Sequence, residues 1–211
     1  MNNNIYIANL KMNGNIQLID KYINIFKGYN GNNLIILCPP FTLLNYSSHK
    51  INCNQSILSL GAQNIHHETE GAFTGEISAN LIKPYSEFSI IGHSERRQYH
   101  HENNEIIRKK IENLIQHKLK VIMCIGESLD IKKKGKTLFF LSKQLKESIP
   151  KNISDTSLFI AYEPIWSIGS GLIPTMTEII EGGNIIVSLS ERILGRAAFD
   201  DIKNPITGEI V

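Results

Sequence analysis

Three short segments carry residue types that could do acid–base chemistry on a small substrate. In Ala161-Tyr162-Glu163-Pro164-Ile165-Trp166-Ser167-Ile168-Gly169-Ser170-Gly171, a carboxylate ends an apolar run, a proline stiffens the next residue, and a tryptophan precedes Gly-x-Gly. That pattern puts a general base beside a loop with two hinge points, although a lone strand-terminal glutamate is read equally well as a helix cap. In Ile91-Gly92-His93-Ser94-Glu95-Arg96-Arg97, His93 follows an apolar run and opens a helix. The partial positive charge of a helix N-terminus disfavours imidazolium, so His93 is expected to be a neutral ring able to donate a hydrogen bond. In Ala8-Asn9-Leu10-Lys11-Met12-Asn13-Gly14, a cation and amides follow a third apolar run, an arrangement uninformative by itself. His66, His67, His100, His101 and His117 read as ordinary surface or satisfied core histidines.

Positioning such groups requires elements, and the chain supplies them as an alternation of short β-branched runs with helical periods. Six strands are expected: Ile5 to Asn9, Leu34 to Cys38, Ile57 to Ala62, Phe88 to Gly92, Lys120 to Cys124 and Leu158 to Glu163. Most are continuous apolar runs, as parallel strands covered on both faces are. Between them, Ile16 to Phe26 and Glu105 to Ile115 carry apolar residues at helical spacing. The pattern is that of repeated βα units around a parallel sheet, an α/β architecture in which sites form at the C-terminal rim of the strands. Lys11 and Asn13, His93 to Arg96, Glu127 and Glu163 all fall on that rim.

The composition excludes several other classes. A net charge of +2, scattered along 211 residues, gives no reason to expect nucleic acid or a membrane surface as partner. The densest basic run, Lys132-Lys133-Lys134, reads as a solvated helix face. Cys38, Cys53 and Cys124 have no paired spacing, so neither a metal site nor a disulfide framework is expected and a reducing cytoplasm fits best. The N-terminus lacks the basic and long apolar regions of a signal peptide, and no run approaches the roughly 20 apolar residues of a membrane span.

Together with Gly71-Ala72-Phe73-Thr74-Gly75-Glu76 and Cys124-Ile125-Gly126-Glu127, the three opening segments closely resemble triosephosphate isomerase, in that family's order and spacing, over about residues 1–179. The resemblance implies a (β/α)8 TIM barrel and a homodimer without metal or organic cofactor. It also implies interconversion of dihydroxyacetone phosphate and glyceraldehyde 3-phosphate in the cytoplasm, as part of glycolysis and gluconeogenesis. It makes Lys11, His93 and Glu163 the catalytic residues: Glu163 the base, His93 the electrophile, and Lys11 the cation that steadies the enediolate. Asn9, Lys11 and Gly169 become substrate-binding residues. Ser94 and Glu95 become supporting residues of the histidine segment, and Thr74 belongs to the loop that reaches the partner subunit's site.

Residues about 180–211 break the rhythm. They read as a strand at Ile185 to Leu189, a short helix or turn at Ser190 to Phe199, and a turn at Asn204 to Gly208. Ser188 to Arg196 and Asn204 to Val211 resemble a fragment of the bacterial RNA polymerase beta-prime subunit, one without that subunit's catalytic residues. The expectation is therefore a barrel truncated to about six βα units (residues 1–179) with an unrelated, non-barrel tail (180–211), as from a fusion or an assembly join. The isomerase family needs roughly 70 further residues for its last two units, whereas 40 follow Gly171. Losing about three phosphate-binding N–H groups would then cost on the order of 5 to 9 kcal/mol, the physics of a catalytically impaired remnant. Ile185 to Val187 are expected to cover an exposed sheet edge.

Overall fold

Each of the six apolar runs forms a strand in the computed structural model, which describes residues 4–151, 153, 158–168, 172–194 and 206–207. In chain order the elements begin with β1 (Ile5–Asn9), α1 (Ile16–Ile25), β2 (Leu34–Cys38), α2 (Phe41–Asn54) and β3 (Ser59–Ala62). They continue with α3 (Ala79–Ile82), β4 (Phe88–Ile91), α4 (Ser94–Tyr99), α5 (Asn104–Gln116) and β5 (Lys120–Ile125). The rest are α6 (Leu129–Lys133), α7 (Thr137–Ser148), β6 (Leu158–Tyr162), α8 (Met176–Leu194) and β7 (Ile206–Thr207). The described strands form one sheet in sequential order, every neighbouring pair parallel. That order, with helices as the crossovers, is the winding of a TIM barrel.

Alternation along the strands divides the core into two layers. Ile35 and Leu37 of β2, with Val121, Met123 and Ile125 of β5, join Ile19 and Ile23 of α1 and Ile107, Ile111 and Leu114 of α5 in the layer between sheet and helices. The residues between them, Ile36, Cys38, Ile122 and Cys124, meet Phe88 and Ile90 on the other face. Both faces are apolar because both are covered, which is why the runs read as continuous. Gly61 of β3 keeps the inner layer close, since a Cβ there would lie 2.5 Å from Cys38 Sγ.

The helices start where short polar side chains can accept an orphan backbone N–H. Asn15 caps α1 and Asn103 caps α5, each accepting at 2.9 Å. Thr175 and Glu178 close α8 reciprocally: Thr175 Oγ1 accepts the Glu178 N–H at 3.2 Å, and Glu178 Oε2 accepts the Thr175 N–H at 2.9 Å.

The tail differs from the expectation. Ile185 to Leu189 is not a strand but the middle of α8, where Ile186 and Leu189 are buried in the helix-facing layer. The sequence there satisfies a helical period, with Gly182, Ile186 and Leu189 on one face, and that pattern prevails over the β-branched run Ile185-Ile186-Val187. Gly182 is required by packing: a Cβ would sit 2.3 Å from the Tyr162 ring. The outer edge of β6 is met by β7, with Ala161 opposite Ile206 and Tyr162 opposite Thr207, rather than by Ile185 to Val187. Residues 206–207, expected in a turn, are therefore extended.

Candidate active site

Glu163 follows β6 directly, and its N–H donates to Ile125 O of β5 at 2.8 Å, carrying the strand ladder up to the carboxylate. Beneath it, Gly126 lies so close that a Cβ would stand 1.8 Å from Glu163 O. His93 comes from the next but one strand. Gly92, at φ +71°, turns the chain sharply after β4, and a side chain there would run into Ile107. His93 is the N-cap of α4: its Nδ1 accepts the Glu95 N–H at 3.3 Å.

The two side chains meet. His93 Nε2 lies 2.8 Å from Glu163 Oε1, and Glu163 Oε2 accepts the Ser94 N–H at 2.9 Å. Both residues are buried, at 6% and 8% exposure, so this contact is only weakly screened by water. With Nδ1 accepting from Glu95, the ring proton sits on Nε2 and points at Glu163, the neutral tautomer. The surroundings of His93 compete. Burial lowers its pKa, while the Glu163 hydrogen bond and the Glu163 and Glu95 charges raise it, and the balance lies above the ordinary histidine value. The helix N-terminus predicted from the sequence is present, but the facing carboxylate opposes it.

Lys11 joins from β1. Its Nζ is 3.1 Å from Glu95 Oε1, on the same helix that begins at His93. Its backbone is left-handed, φ +49°, and is held on both sides: Asn9 Oδ1 accepts the Lys11 N–H at 3.0 Å, and Gln63 donates to Lys11 O at 2.8 Å and to Cys38 O at 2.9 Å. Five of the residues singled out from sequence, Lys11, His93, Ser94, Glu95 and Glu163, thus form one connected set, with Asn9 beneath Lys11. Thr74 is apart from them, exposed on the segment between β3 and α3. Gly169 lies outside the described residues.

Three further groups had no role assigned from sequence. Gln63, one residue past β3, ties the Lys11 turn to β2. Arg97 straps three strand and helix ends through Gly92 O, Asn104 Oδ1 and Cys124 O, at 2.8, 2.8 and 3.2 Å. Glu127, after β5, accepts from Tyr162 Oη at 2.9 Å and from Trp166 Nε1 at 3.1 Å, fixing the short 3-10 turn Ile165–Ser167 that follows Glu163. Burial raises the Glu127 pKa against the pull of those two donors, and burial with the facing Glu127 charge raises that of Tyr162. The signal for Gln63 and Glu127 was their place: polar residues at strand C-terminal ends.

The lysine run divides. Lys133 and Lys134 are exposed as expected, but Lys132 is half-buried, its Nζ 3.3 Å from the centroid of the Trp166 ring and paired with Glu178. No cluster of three or more metal-ligating side chains occurs among the described residues, and no helix among them is long and apolar enough to cross a membrane.

Residues 4–202 match the model of the triosephosphate isomerase family. The triosephosphate isomerase of Thermodesulfovibrio yellowstonii is 40% identical over 197 residues, covering 91% of this chain and 79% of that protein. That of Saccharomyces cerevisiae is 39% identical over 171 residues, or 80% of this chain and 68% of the relative. Among solved structures, triosephosphate isomerase from Bartonella henselae superposes with a TM-score of 0.86 at 30% identity, over 99% of this chain and 83% of that one.

Proposed function

The chain belongs to the triosephosphate isomerase family, and from that premise we propose how its residues interconvert dihydroxyacetone phosphate and D-glyceraldehyde 3-phosphate. The roles are the family's, matched residue by residue. Glu163 takes a proton from one substrate carbon and returns it to the next, which a single carboxylate can do because the two carbons are adjacent. His93 polarises the carbonyl as a neutral donor, and Lys11 balances the charge of the enediolate. Asn9 and Gly169 bind substrate, the latter within a lid running from Pro164 to Gly171, and Ser94 and Glu95 hold the histidine segment.

The observation that carries this reading is the 2.8 Å contact between His93 Nε2 and Glu163 Oε1, tied to Lys11 through Glu95. In that contact both carboxylate oxygens are engaged, one by His93 and one by the Ser94 N–H. A separation of 2.8 Å leaves no room for a substrate carbon between the two groups, so substrate binding must part Glu163 from His93. The raised His93 pKa fits this picture, because it falls once the carboxylate leaves and the ring becomes a better neutral donor. Turnover of dihydroxyacetone phosphate by the purified chain tests the reading: a rate no greater than that of Glu163→Ala overturns it.

We propose a homodimer in the cytoplasm, with Thr74 reaching the partner's site and no cofactor; light scattering of the purified chain measures the dimer. For residues 180–211 we propose an origin in a segment resembling the RNA polymerase beta-prime subunit, joined to about six βα units of barrel descent in residues 1–179. Its support is the sequence of Ser188 to Arg196 and Asn204 to Val211. The boundary is one of descent only, since α8 runs across it and the family match reaches residue 202. Resequencing the locus across the codons for Gly171 to Gly183 tests that join, and the dissociation constant for phosphoglycolate tests whether phosphate is held weakly.

A further inference from the structure

Lys132, alone in its basic run, turns inward. Its ammonium covers the ring of Trp166 at 3.3 Å from the centroid and pairs with Glu178, a carboxylate fixed in the capping box of α8. At the edge of the same ring, Glu127 accepts the indole N–H, and Tyr162 completes a buried set, with Tyr162, Trp166 and Glu127 at 5, 7 and 1% exposure. Trp166 is thus held at two places, by a carboxylate at its edge and a cation over its face. It stands three residues after Glu163, at the centre of the single turn joining the carboxylate to the rest of the chain. A cation over an indole face is attracted by the ring quadrupole, and the attraction grows as water is excluded.

We propose that Lys132, held in place by Glu178, is a positioning residue for Glu163, acting through the ring of Trp166. The proposal rests on Glu163 being the base. It adds that the aim of Glu163 depends on an ion pair between two helices, α6 and α8, neither of which contributes a side chain to the reacting centre. Removing the cation loosens the ring, lets the Ile165–Ser167 turn shift, and spreads the carboxylate over several directions. That lowers the fraction of productive geometry, so kcat falls while KM changes little.

Trp166 is the only tryptophan in the chain, which makes its fluorescence a direct reading of the clamp without substrate. Purified full-length chain is compared with Lys132→Met, Glu178→Gln, the double variant, Lys132→Arg, and the exposed neighbour Lys133→Met as control. The first three are expected to raise acrylamide quenching of Trp166 and lower kcat about three- to tenfold at nearly constant KM. The double variant should lose no more than the larger single one, because the two residues act as a unit. Lys132→Arg restores both readings and Lys133→Met changes neither.

Unchanged quenching in Lys132→Met overturns the clamp. Raised quenching with kcat unchanged makes the contact merely structural and overturns the positioning role. A parent chain no faster than Glu163→Ala overturns the base assignment, and the positioning role with it, while the quenching series still reports whether Lys132 covers the ring.

Discussion

Glu163 and His93 come from strands that are not neighbours in the sheet, β6 and β4, yet their side chains meet at 2.8 Å with the Ser94 N–H closing the other carboxylate oxygen. Three polar groups from two loops share one buried point, and the predictions below follow from what that sharing requires.

Glu163→Gln keeps the shape of the side chain and removes the proposed base. Turnover of dihydroxyacetone phosphate should fall by about 10²- to 10⁴-fold in kcat, the usual worth of a positioned general base, with thermal unfolding little changed. A loss smaller than tenfold would mean that another group takes the proton.

His93 links stability to pH. Its folded pKa lies above the ordinary 6.5, so the folded state binds its proton more tightly than the unfolded chain does. The stabilisation is complete below pH 6.5 and is lost as pH rises through the folded value. Urea unfolding of the parent across that window should show this loss, and His93→Gln should lack it. A parent whose His93-dependent stability grows with pH would reverse the sign and refute the assignment.

Gly126→Ala should damage activity and stability together. The added methyl would stand 1.8 Å from Glu163 O, so either β5 or the Glu163 turn must move. Overpacking of this kind costs about 1 to 3 kcal/mol, and the displaced carboxylate should lower kcat/KM. Calorimetry and steady-state kinetics on the same preparation check both halves.

Glu102 and Lys110 form a buried pair under α4, bridged at 2.6 Å, with Lys110 also donating to Asn64 and Arg96 also bonding Glu102. Burial would raise the Glu102 pKa, but Lys110 and Arg96 outweigh it and hold it below 4.5, whereas burial leaves Lys110 lowered despite the carboxylate. Both pKa values fall, which favours the charged form of Glu102 and disfavours that of Lys110. Lys110→Met alone should cost about 1 to 3 kcal/mol by leaving the buried carboxylate to Arg96, and Glu102→Leu combined with Lys110→Met less than the two single changes summed. Chemical denaturation of the four proteins completes the cycle.

Much of the positioning frame was legible in the chain. β1 and β2 have the expected ends, because β-branched runs bounded by polar rim residues have no other period to satisfy. The rim places of Glu163, His93 and Lys11 were legible because each follows the C-terminal end of an apolar run. The tail was misread at Ile185 to Leu189, where a short apolar run fits strand and helix alike. Gly182 against Tyr162 and the Thr175–Glu178 capping box decide for the helix, and the first of these is a contact between segments 20 residues apart.

What the sequence determined by itself was the order of βα units and the residue types on their rim, since both follow from local period and composition. Only the tertiary structure decided partners: that Glu163 rests against His93 and Ser94, that Gln63 holds the Lys11 turn, that Glu127 fixes Trp166, and that Lys132 leaves its solvated run to cover the same ring. The reason is physical. A strand or helix is fixed by interactions among residues a few places apart, whereas each of these contacts joins segments 34 to 70 residues apart that meet only when the sheet curls its strand ends toward one rim.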